Sequence, residues 1–486
     1  MRIRGTGAAI SVLVLWGCGG GGGGGSEAPH VEEKPAGPPP IVGVLDESFG
    51  VGGIAAFDGG GEGNDRGNAI LRDAQGGILI AGSAWSSTYQ EDMALWRLDE
   101  FGTPDPDFGE AGVALDNRPY SQSGLGMALD LQGRIVVVGF SIEQVESALA
   151  IWRFNPNGTI DTSFNEGTGV RFHRIDDAAI TLDRGTSVAI DASNRIVVTG
   201  RSTLENAHRM VLWRFDPDGS LDSNFGDLED ANLAPFPDAR KGFAVFQPLE
   251  VSNSEGNSLA LDSEGRIAIT GRGRIVESES MIVWRYLPNG TFDPFFGEVA
   301  SGFVSFDIGP GNHCIGNSIK VDPQGKLLVA GGVRQIVGGE IIDRMAVWRY
   351  NPEGTLDTTF HANDGPNVVV GGYTLGSYGV AESLVLDQEG RIVVVGSTTS
   401  IEIPGELLVA RFDPNGAVDR TFGDVDPENP SERTGYLTWD RVVVGSGSDE
   451  RGEDVVLDEK GRILVAGSST HAGLNIDRDM MVWRFR

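Results

Sequence analysis

Six stretches of the chain align with one another without gaps: LWRLDEFGTPDPDFG from Leu95, IWRFNPNGTIDTSFN from Ile151, LWRFDPDGSLDSNFG from Leu212, VWRYLPNGTFDPFFG from Val283, VWRYNPEGTLDTTFH from Val347 and VARFDPNGAVDRTFG from Val409. A seventh copy is divided between the ends of the sequence, with VWRFR at Val482–Arg486 as its beginning and VLDESFG at Val44–Gly50 as its end. The Trp slot holds Trp96, Trp152, Trp213, Trp284, Trp348 and Trp483, with Ala410 in the remaining copy. A unit recurring at about 60 residues cannot bury its apolar faces alone and must pack on its neighbours. The split copy favours a closed ring over an open array, because an open array needs atypical capping repeats and none is present.

A second motif lies between the copies, as in LDLQGRIVVVG from Leu129, LDSEGRIAITG from Leu261 and LDEKGRILVAG from Leu457. Asp opens a tight turn, Gly closes it in the left-handed region and β-branched residues continue as a strand, so each motif predicts a β-hairpin. Asn194 fills the Gly slot of one copy, and Asn is the non-Gly residue that best tolerates positive φ. Each repeat is also predicted to open with a short apolar strand, at Ile54–Phe57, Val170–Phe172, Phe243–Phe246, Phe303–Phe306, Val368–Val370 and Val442–Val444. Helical periodicity is absent. The expectation is an all-β, seven-bladed β-propeller of four-stranded antiparallel blades over residues 43–486, closed by joining the N- and C-terminal halves of one repeat.

These residues resemble the delta-60 repeat family, whose unit runs strand, Gly-Arg hairpin, then an aromatic-rich segment leading to Leu-Asp-x-Ser-Phe-Gly. The resemblance covers about Val44 to Arg486 and implies a propeller of a secreted or surface bacterial protein, with no general activity attached. Ala410 for Trp, Gly77 for the hairpin cation, and Asn165 and His361 for the last Gly depart from the pattern.

Arg97, Arg153, Arg214, Arg285, Arg349 and Arg411 are each followed eight residues later by Asp105, Asp161, Asp222, Asp293, Asp357 and Asp419; Arg484 has Asp46 as its counterpart in the split copy. On a strand of period two these arginines share a face with apolar neighbours. A charge placed there needs a partner, so each Asp is expected to meet an Arg bidentately as a structural ion pair, within a blade or between blades. A ring of sites for an acidic ligand is the functional alternative, and sevenfold repetition weighs for scaffolding.

The turn between Arg and Asp, as in Asp216-Pro217-Asp218-Gly219, has the composition of a type I turn. Its oxygens are the one place where calcium enters as an alternative, although the 12-residue loop and terminal Glu of an EF-hand are missing. No metal ligand set is readable, since His30, His173, His208, His361 and His471 stand apart from zinc spacing. His313-Cys314 is the nearest approach to a nucleophile and base, but adjacent residues of an extended chain point apart. Runs such as Gly59-Gly60-Gly61 lack the Lys and helix of a phosphate loop. No catalytic residue and no cofactor is assigned.

Two connections are enlarged, Asp227–Lys241 and Asp424–Arg441, on the same end as the Gly-Arg hairpins; they are read as connections between blades. They carry Phe236, Tyr436 and Trp439 among prolines, a candidate binding patch. The opposite end carries insertions at Arg272–Ser280 and Gly332–Asp343.

The N-terminus reads as a sorting signal. Arg2 and Arg4 precede an apolar run, Ala8–Trp16, too short to span a bilayer. Leu15-Trp16-Gly17-Cys18 resembles a bacterial lipobox, so residues 1–17 are expected to be cleaved and Cys18 to be acylated. Gly19–Gly25 and Pro38–Pro40 make residues 18–42 a tether. With Cys314 as the only other cysteine, a disulfide is not expected. A net charge of −31 excludes a nucleic-acid binder held by phosphate contacts.

The expected protein is a monomeric outer-membrane lipoprotein whose propeller is a noncatalytic binding or structural module for a protein or polysaccharide. It would touch the membrane through its acylated N-terminus only. The rival is a hydrolase or lyase of extracellular polymer, which requires ionisable groups from different blades to converge in the central funnel.

Overall fold

The computed structural model describes residues 43–486 except 58–62, 87–89, 145, 176–180, 205–206, 228–239, 249–250, 298–300, 361–367, 372–377, 400–404, 428, 440–448 and 471–477. The signal segment, Cys18, the tether, Phe236 and the strand expected at 442–444 lie outside the described residues. Among the described residues every regular element is a β-strand.

The hairpin motif explains how a sheet begins. In the second sheet Asp130 accepts the backbone amides of Gln132 and Arg134 at 2.9 Å each on one carboxylate oxygen. Gly133 takes φ 75° to close the turn, and Asn194 takes φ 63° at the equivalent place. The β-branched runs that follow, such as Ile135–Val138, become strands buried on both faces. In the first sheet Arg66–Arg72, Ile78–Ser86, Gln90–Leu98 and Val113–Asp116 pair antiparallel in chain order. The same sequence of pairings recurs through sets that begin at Ser121–Leu129, Arg184–Ile190, Val251–Leu261, His313–Val321, Tyr378–Leu386 and Glu450–Leu457. A single parallel bridge, Glu279 with His313, joins the fourth and fifth sets into one eight-stranded sheet.

The short apolar strand is placed differently from the sequence expectation. It does not open a repeat but returns to the strand just left and completes the preceding sheet: Val113–Asp116 pairs with Gln90–Leu98 and Val170–His173 with Glu146–Phe154. The cause is local. Gly112 donates its amide to the carbonyl of Phe108 at 2.8 Å and its own carbonyl accepts from Arg97 at 2.9 Å, which folds the chain back onto its own third strand. The connection 227–241 is therefore internal to a sheet rather than a link between sheets. In the sixth sheet the outer strand is Tyr436–Trp439. Arg272–Ser280, expected as an insertion, is a hairpin of two nine-residue strands like those of the first three sheets, whereas Gly332–Asp343 is a hairpin of strands lengthened to 11 residues, closed by Gly338 and Gly339 at φ 64° and 91°.

The last sheet is completed by the start of the chain, Ile54 pairing with Trp483 and Phe57 with Met480. Each apolar cluster draws side chains from two successive sheets. One cluster unites the first sheet, through Ile70, Ile80 and Trp96, with the last, through Leu464, Met480 and Val482. The first strands pack on one another in succession, and Glu450–Leu457 packs in turn on Arg66–Arg72.

Candidate functional site

Repeated charges tie successive sheets together. Arg153 donates its Nε to Asp161 at 2.7 Å, Arg214 to Asp222 at 2.8 Å, Arg349 to Asp357 at 2.8 Å and Arg411 to Asp419 at 2.7 Å. Arg285 is paired with Asp293 at 2.8 Å, Arg484 with Asp46 at 3.0 Å, and Arg97 with Asp105. A bidentate fork is not formed by Arg153 and Arg411, whose Nη2 atoms donate to Ser163 and Thr421, and in five of the seven arginines Nη1 donates to a turn carbonyl of the next repeat. The acceptors are Pro217 for Arg153, Pro288 for Arg214, Pro352 for Arg285, Pro414 for Arg349 at 2.5 Å and Glu100 for Arg484 at 2.5 Å. The guanidinium also lies over a Phe ring of its own repeat, from 4.1 Å for Arg214 on Phe225 to 4.7 Å for Arg411 on Phe422.

A second cation supports the carboxylate. Arg134 reaches Asp161 at 3.3 Å, Arg195 reaches Asp222 at 3.2 Å, Lys326 reaches Asp357 at 2.6 Å and Arg462 reaches Asp46 at 3.0 Å. Where Gly77 takes the place of this cation, Arg97 itself donates Nε to Asp73 at 2.7 Å. Burial pushes the Asp46 carboxyl up, but hydrogen bonds from Ser48 and the charges of Arg484 and Arg462 outweigh it and hold the group at about 2. These arginines and aspartates bind one sheet to the next; their charges are already matched.

The turns between them are filled by backbone. Asp413 accepts the amides of Asn415 and Ala417 at 2.8 and 2.9 Å, and Asp218 accepts the amide and hydroxyl of Ser220 at 2.9 and 2.6 Å. Among the described residues no three His, Cys, Asp or Glu side chains gather to hold a metal ion.

Repetition breaks where the first strands meet. Each carries a one-residue register shift at the same place, which adds Asn68, Leu125, Thr186, Asn257, Asn317, Glu382 and Glu453 to the seven strands. Asn68 donates to the Gly124 carbonyl at 2.8 Å, Thr186 to Gly256 at 2.6 Å, Asn257 to Gly316 at 3.0 Å and Asn317 to Ala381 at 2.9 Å, each crossing to the next sheet. The following residue forms a second belt. Ser187, Ser258 and Ser318 accept the amides of Leu259, Ile319 and Leu384 at 3.2 Å, and Asp454 accepts Ile70 at 2.9 Å. This double belt was missed in the sequence, although Gly-Asn-Ser at Gly256–Ser258 and Gly316–Ser318, Gly-Thr-Ser at Gly185–Ser187 and Gly-Glu-Asp at Gly452–Asp454 carry it.

Two features of this junction are not repeated. The first is a pair of carboxyls, Glu382 and Glu453, on adjacent strands. Asn317 donates its Nδ2 to Glu382 at 2.9 Å. Burial and the neighbouring Glu453 charge push the Glu382 carboxyl up to about 8 against the opposing charge of Arg451. Burial also raises Glu453, against Arg451, Arg66 and Arg478.

The second lies two residues earlier on the strands, where two cross-strand pairs face each other: Arg184 with Arg201, and Glu255 with Arg272. Glu255 accepts from Arg201 at 2.7 Å, from Arg184 at 3.4 Å and from Arg272 at 3.1 Å. Arg272 continues to Glu279 at 2.9 Å, and Glu279 meets His313 at 2.8 Å.

His313 and Cys314 are the first residues of the strand His313–Val321, not part of a loop. Cys314 is 1% exposed in the core, and burial raises its thiol to about 12, so it does not serve as a nucleophile beside His313. Tyr436 and Trp439 are not a loop-borne patch. Their strand registers Tyr436 against Ala410 and Trp439 against Leu407, and Trp439 meets Trp483 edge-on at 5.9 Å. Both side chains cover core clusters, which is why aromatic residues stand there.

The family model described as "Domain of unknown function (DUF5122) beta-propeller" matches residues 76–108, 133–164, 192–225, 323–360 and 389–422. Each match runs from a Gly-Arg hairpin slot to the end of an Arg–Asp segment. This is a β-propeller repeat protein. Among solved structures the propeller is similar to the polysaccharide lyase Uly1, at 11% identity over 92% of this chain and 96% of that one, with a TM-score of 0.46. It is similar to a protein of unknown function from Dyadobacter fermentans at 10% identity over 92% and 98%, TM-score 0.37. It is also similar to a PL25 ulvan lyase at 13% identity over 74% and 82%, TM-score 0.37. No curated protein matches the propeller's sequence.

Proposed function

We propose that this protein is a lipid-anchored, seven-bladed delta-60-type propeller of the bacterial outer membrane. On this reading it binds an extracellular ligand noncatalytically at the axial mouth where its first strands meet. The observation that carries the reading is the location of the asymmetry. The Arg–Asp clamps are spent between blades, whereas the belt position changes from amide and hydroxyl to Leu125 on one blade and to glutamate on two adjacent ones. A ligand that meets one propeller in one orientation needs such asymmetry. Support for ring closure comes from the pairing of Ile54–Phe57 with Arg478–Phe485 and from the bond between Ile70 and Asp454. Support for the anchor is the Gly17-Cys18 junction, and Gly19 after it favours the outer membrane.

The test is retention. The full-length protein, incubated with envelope and extracellular polymer fractions in calcium and in chelator, should retain a specific component in both. Loss under chelator would promote the aspartate turns to calcium sites. No retention, in any fraction, would overturn the binding reading.

A hydrolase or lyase is the second reading, and one observation favours it: Glu382 keeps its proton near neutral pH beside the second carboxyl of Glu453. Two neighbouring buried carboxyls, both raised, supply the kind of groups that serve as acid and base in glycoside cleavage. Polymer cleavage by the full-length protein that is abolished by Glu382→Gln would establish it.

A further inference from the structure

Three guanidinium groups, Arg184, Arg201 and Arg272, converge on the single carboxylate of Glu255. Glu255 is buried, with its side chain 8% exposed, while the three arginines keep 32%, 22% and 37% of theirs open to solvent. One carboxylate offers about four acceptor positions, whereas three arginines bring about fifteen N–H groups. The share of Arg184 is one long contact of 3.4 Å, and the buried Nε atoms of Arg184 and Arg201 have no hydrogen-bond partner. Glu279 also pairs with Arg272, so three guanidiniums face two carboxylates and one positive charge is held in excess at one point of a chain whose net charge is −31. The same strand position carries two more exposed arginines, Arg66 and Arg451, on the first and last sheets.

From this geometry we propose that Arg184, Arg201 and Arg272 form a site for an anionic group, a carboxylate or sulfate ester, of an acidic polysaccharide. The proposal rests on reading the junction of the first strands as the ligand-binding mouth. A guanidinium fork matches a planar or tetrahedral oxyanion, and a group sitting at Glu255 would be held by N–H donors that the carboxylate leaves unused. Thr186 and Asn257, two residues on from Arg184 and Glu255, put a hydroxyl and an amide beside the arginines, which suits a ligand rich in hydroxyls. A nucleic acid would bring a continuous line of phosphates against a strongly acidic protein, so it is not the expected partner.

His208 supplies a reporter that a merely structural cluster would not move. Burial and the charges of Arg201, Arg184 and Arg272 hold its imidazole below the usual value, with Glu255 opposing. The full-length protein is titrated with polygalacturonate, dextran sulfate, neutral dextran and duplex DNA. Each is followed by calorimetry and by the NMR pH titration of His208. Expected are binding of at least one acidic polysaccharide, none of dextran or DNA, and an upward move of the His208 pKa on binding. Arg184→Gln and Arg272→Gln should each weaken binding tenfold or more while the melting temperature stays within a few degrees. Unchanged affinity in both variants overturns the proposal, as does preference for DNA. Equal binding of dextran also overturns it but leaves the mouth reading standing. Should no polymer bind, sodium sulfate that raises the His208 pKa in the wild type and not in Arg184→Gln would keep the anion site while sinking the mouth.

Discussion

Gly43 donates its amide to the carbonyl of Arg486 at 2.5 Å, the bond that Gly416 makes to Asp413 at 3.0 Å inside one unbroken turn. Two further bonds repeat the match. Arg486 donates to Val44 at 3.0 Å as Asp413 does to Ala417 at 2.8 Å, and Asp46 donates to Arg484 at 2.8 Å as Asp419 does to Arg411 at 3.0 Å. The two segments thus assemble, without a covalent link, a turn that elsewhere is continuous.

If that turn closes the ring, joining Arg486 to Gly43 through two residues and opening the chain between Gly338 and Gly339 should leave a folded protein. The expected melting temperature is equal to or above that of the parent, since loop closure is then covalent. Deleting Val44–Gly50 should lower it far more than deleting residues 19–40. Thermal denaturation followed by circular dichroism decides both, and equal effects of the two deletions would refute closure.

The clamps differ in depth, and so should their losses. Arg214 and Asp222 are 3% and 2% exposed, and removing one member of such a pair leaves an uncompensated buried charge. Asp222→Ala should cost about 3–5 kcal/mol. The Arg97–Asp105 pair has both side chains 18% exposed, and Asp73 shares Arg97, so Asp105→Ala should cost clearly less. Urea denaturation of the two variants measures the difference.

Acid should loosen the clamps together. Hydrogen bonds and facing cations overcome burial to lower Asp161, Asp222, Asp357 and Asp419 as well as Asp46. A carboxyl whose folded pKa is lowered stabilises the fold above its unfolded value and loses that contribution as pH falls through the folded one. The contribution of these aspartates should therefore be level above about pH 4 and drop from there toward 2. In Asp46→Asn the part of this drop that belongs to the seam should vanish; an identical acid profile would count against the assignment.

Glu382 should behave in the opposite sense. Its folded value, about 8, lies above the usual 4.5, so ionisation opposes folding increasingly as pH rises from 4.5 to 8. Glu382→Gln keeps an acceptor for Asn317 and removes that charge. Its melting temperature should exceed the wild type's at pH 9 and converge on it near pH 4.5. A gain independent of pH would mean that neither burial nor Glu453 raises this carboxyl.

Release from the envelope tests the anchor. Cys18→Ser should move the protein from the membrane fraction to the soluble one, and continued membrane association would require a different attachment.

The repeat unit, its hairpins and the Arg–Asp spacing were legible because each is local: a turn residue at a fixed offset, or two charges on one strand and its following turn. Asn194 at positive φ shows how far such reasoning reaches. Where a strand pairs was less legible. Val113–Asp116 has the same alternation whichever sheet it joins, and only the tight return through Gly112 decides. The bidentate fork failed for a related reason, since Pro217, which takes the spare N–H of Arg153, belongs to the next repeat. The belt was written in the sequence as a small residue, a polar one and a serine, but its meaning depends on strands about 60 residues apart lying side by side. The arginines around Glu255 were invisible for the same reason.

The outer strand of the last sheet, Ile54–Phe57, is made more than 400 residues before the strand it pairs with, Arg478–Phe485. Until then the chain carries an unpaired edge at each end, the condition in which strands add to those of other molecules. Synthesis of such a chain therefore carries an interval of vulnerability that ends only when Arg478–Phe485 is available to pair. A nascent molecule stalled or clipped before Arg478 would hold six complete four-stranded sets and still present both edges, a template that the unfolded polypeptide does not offer.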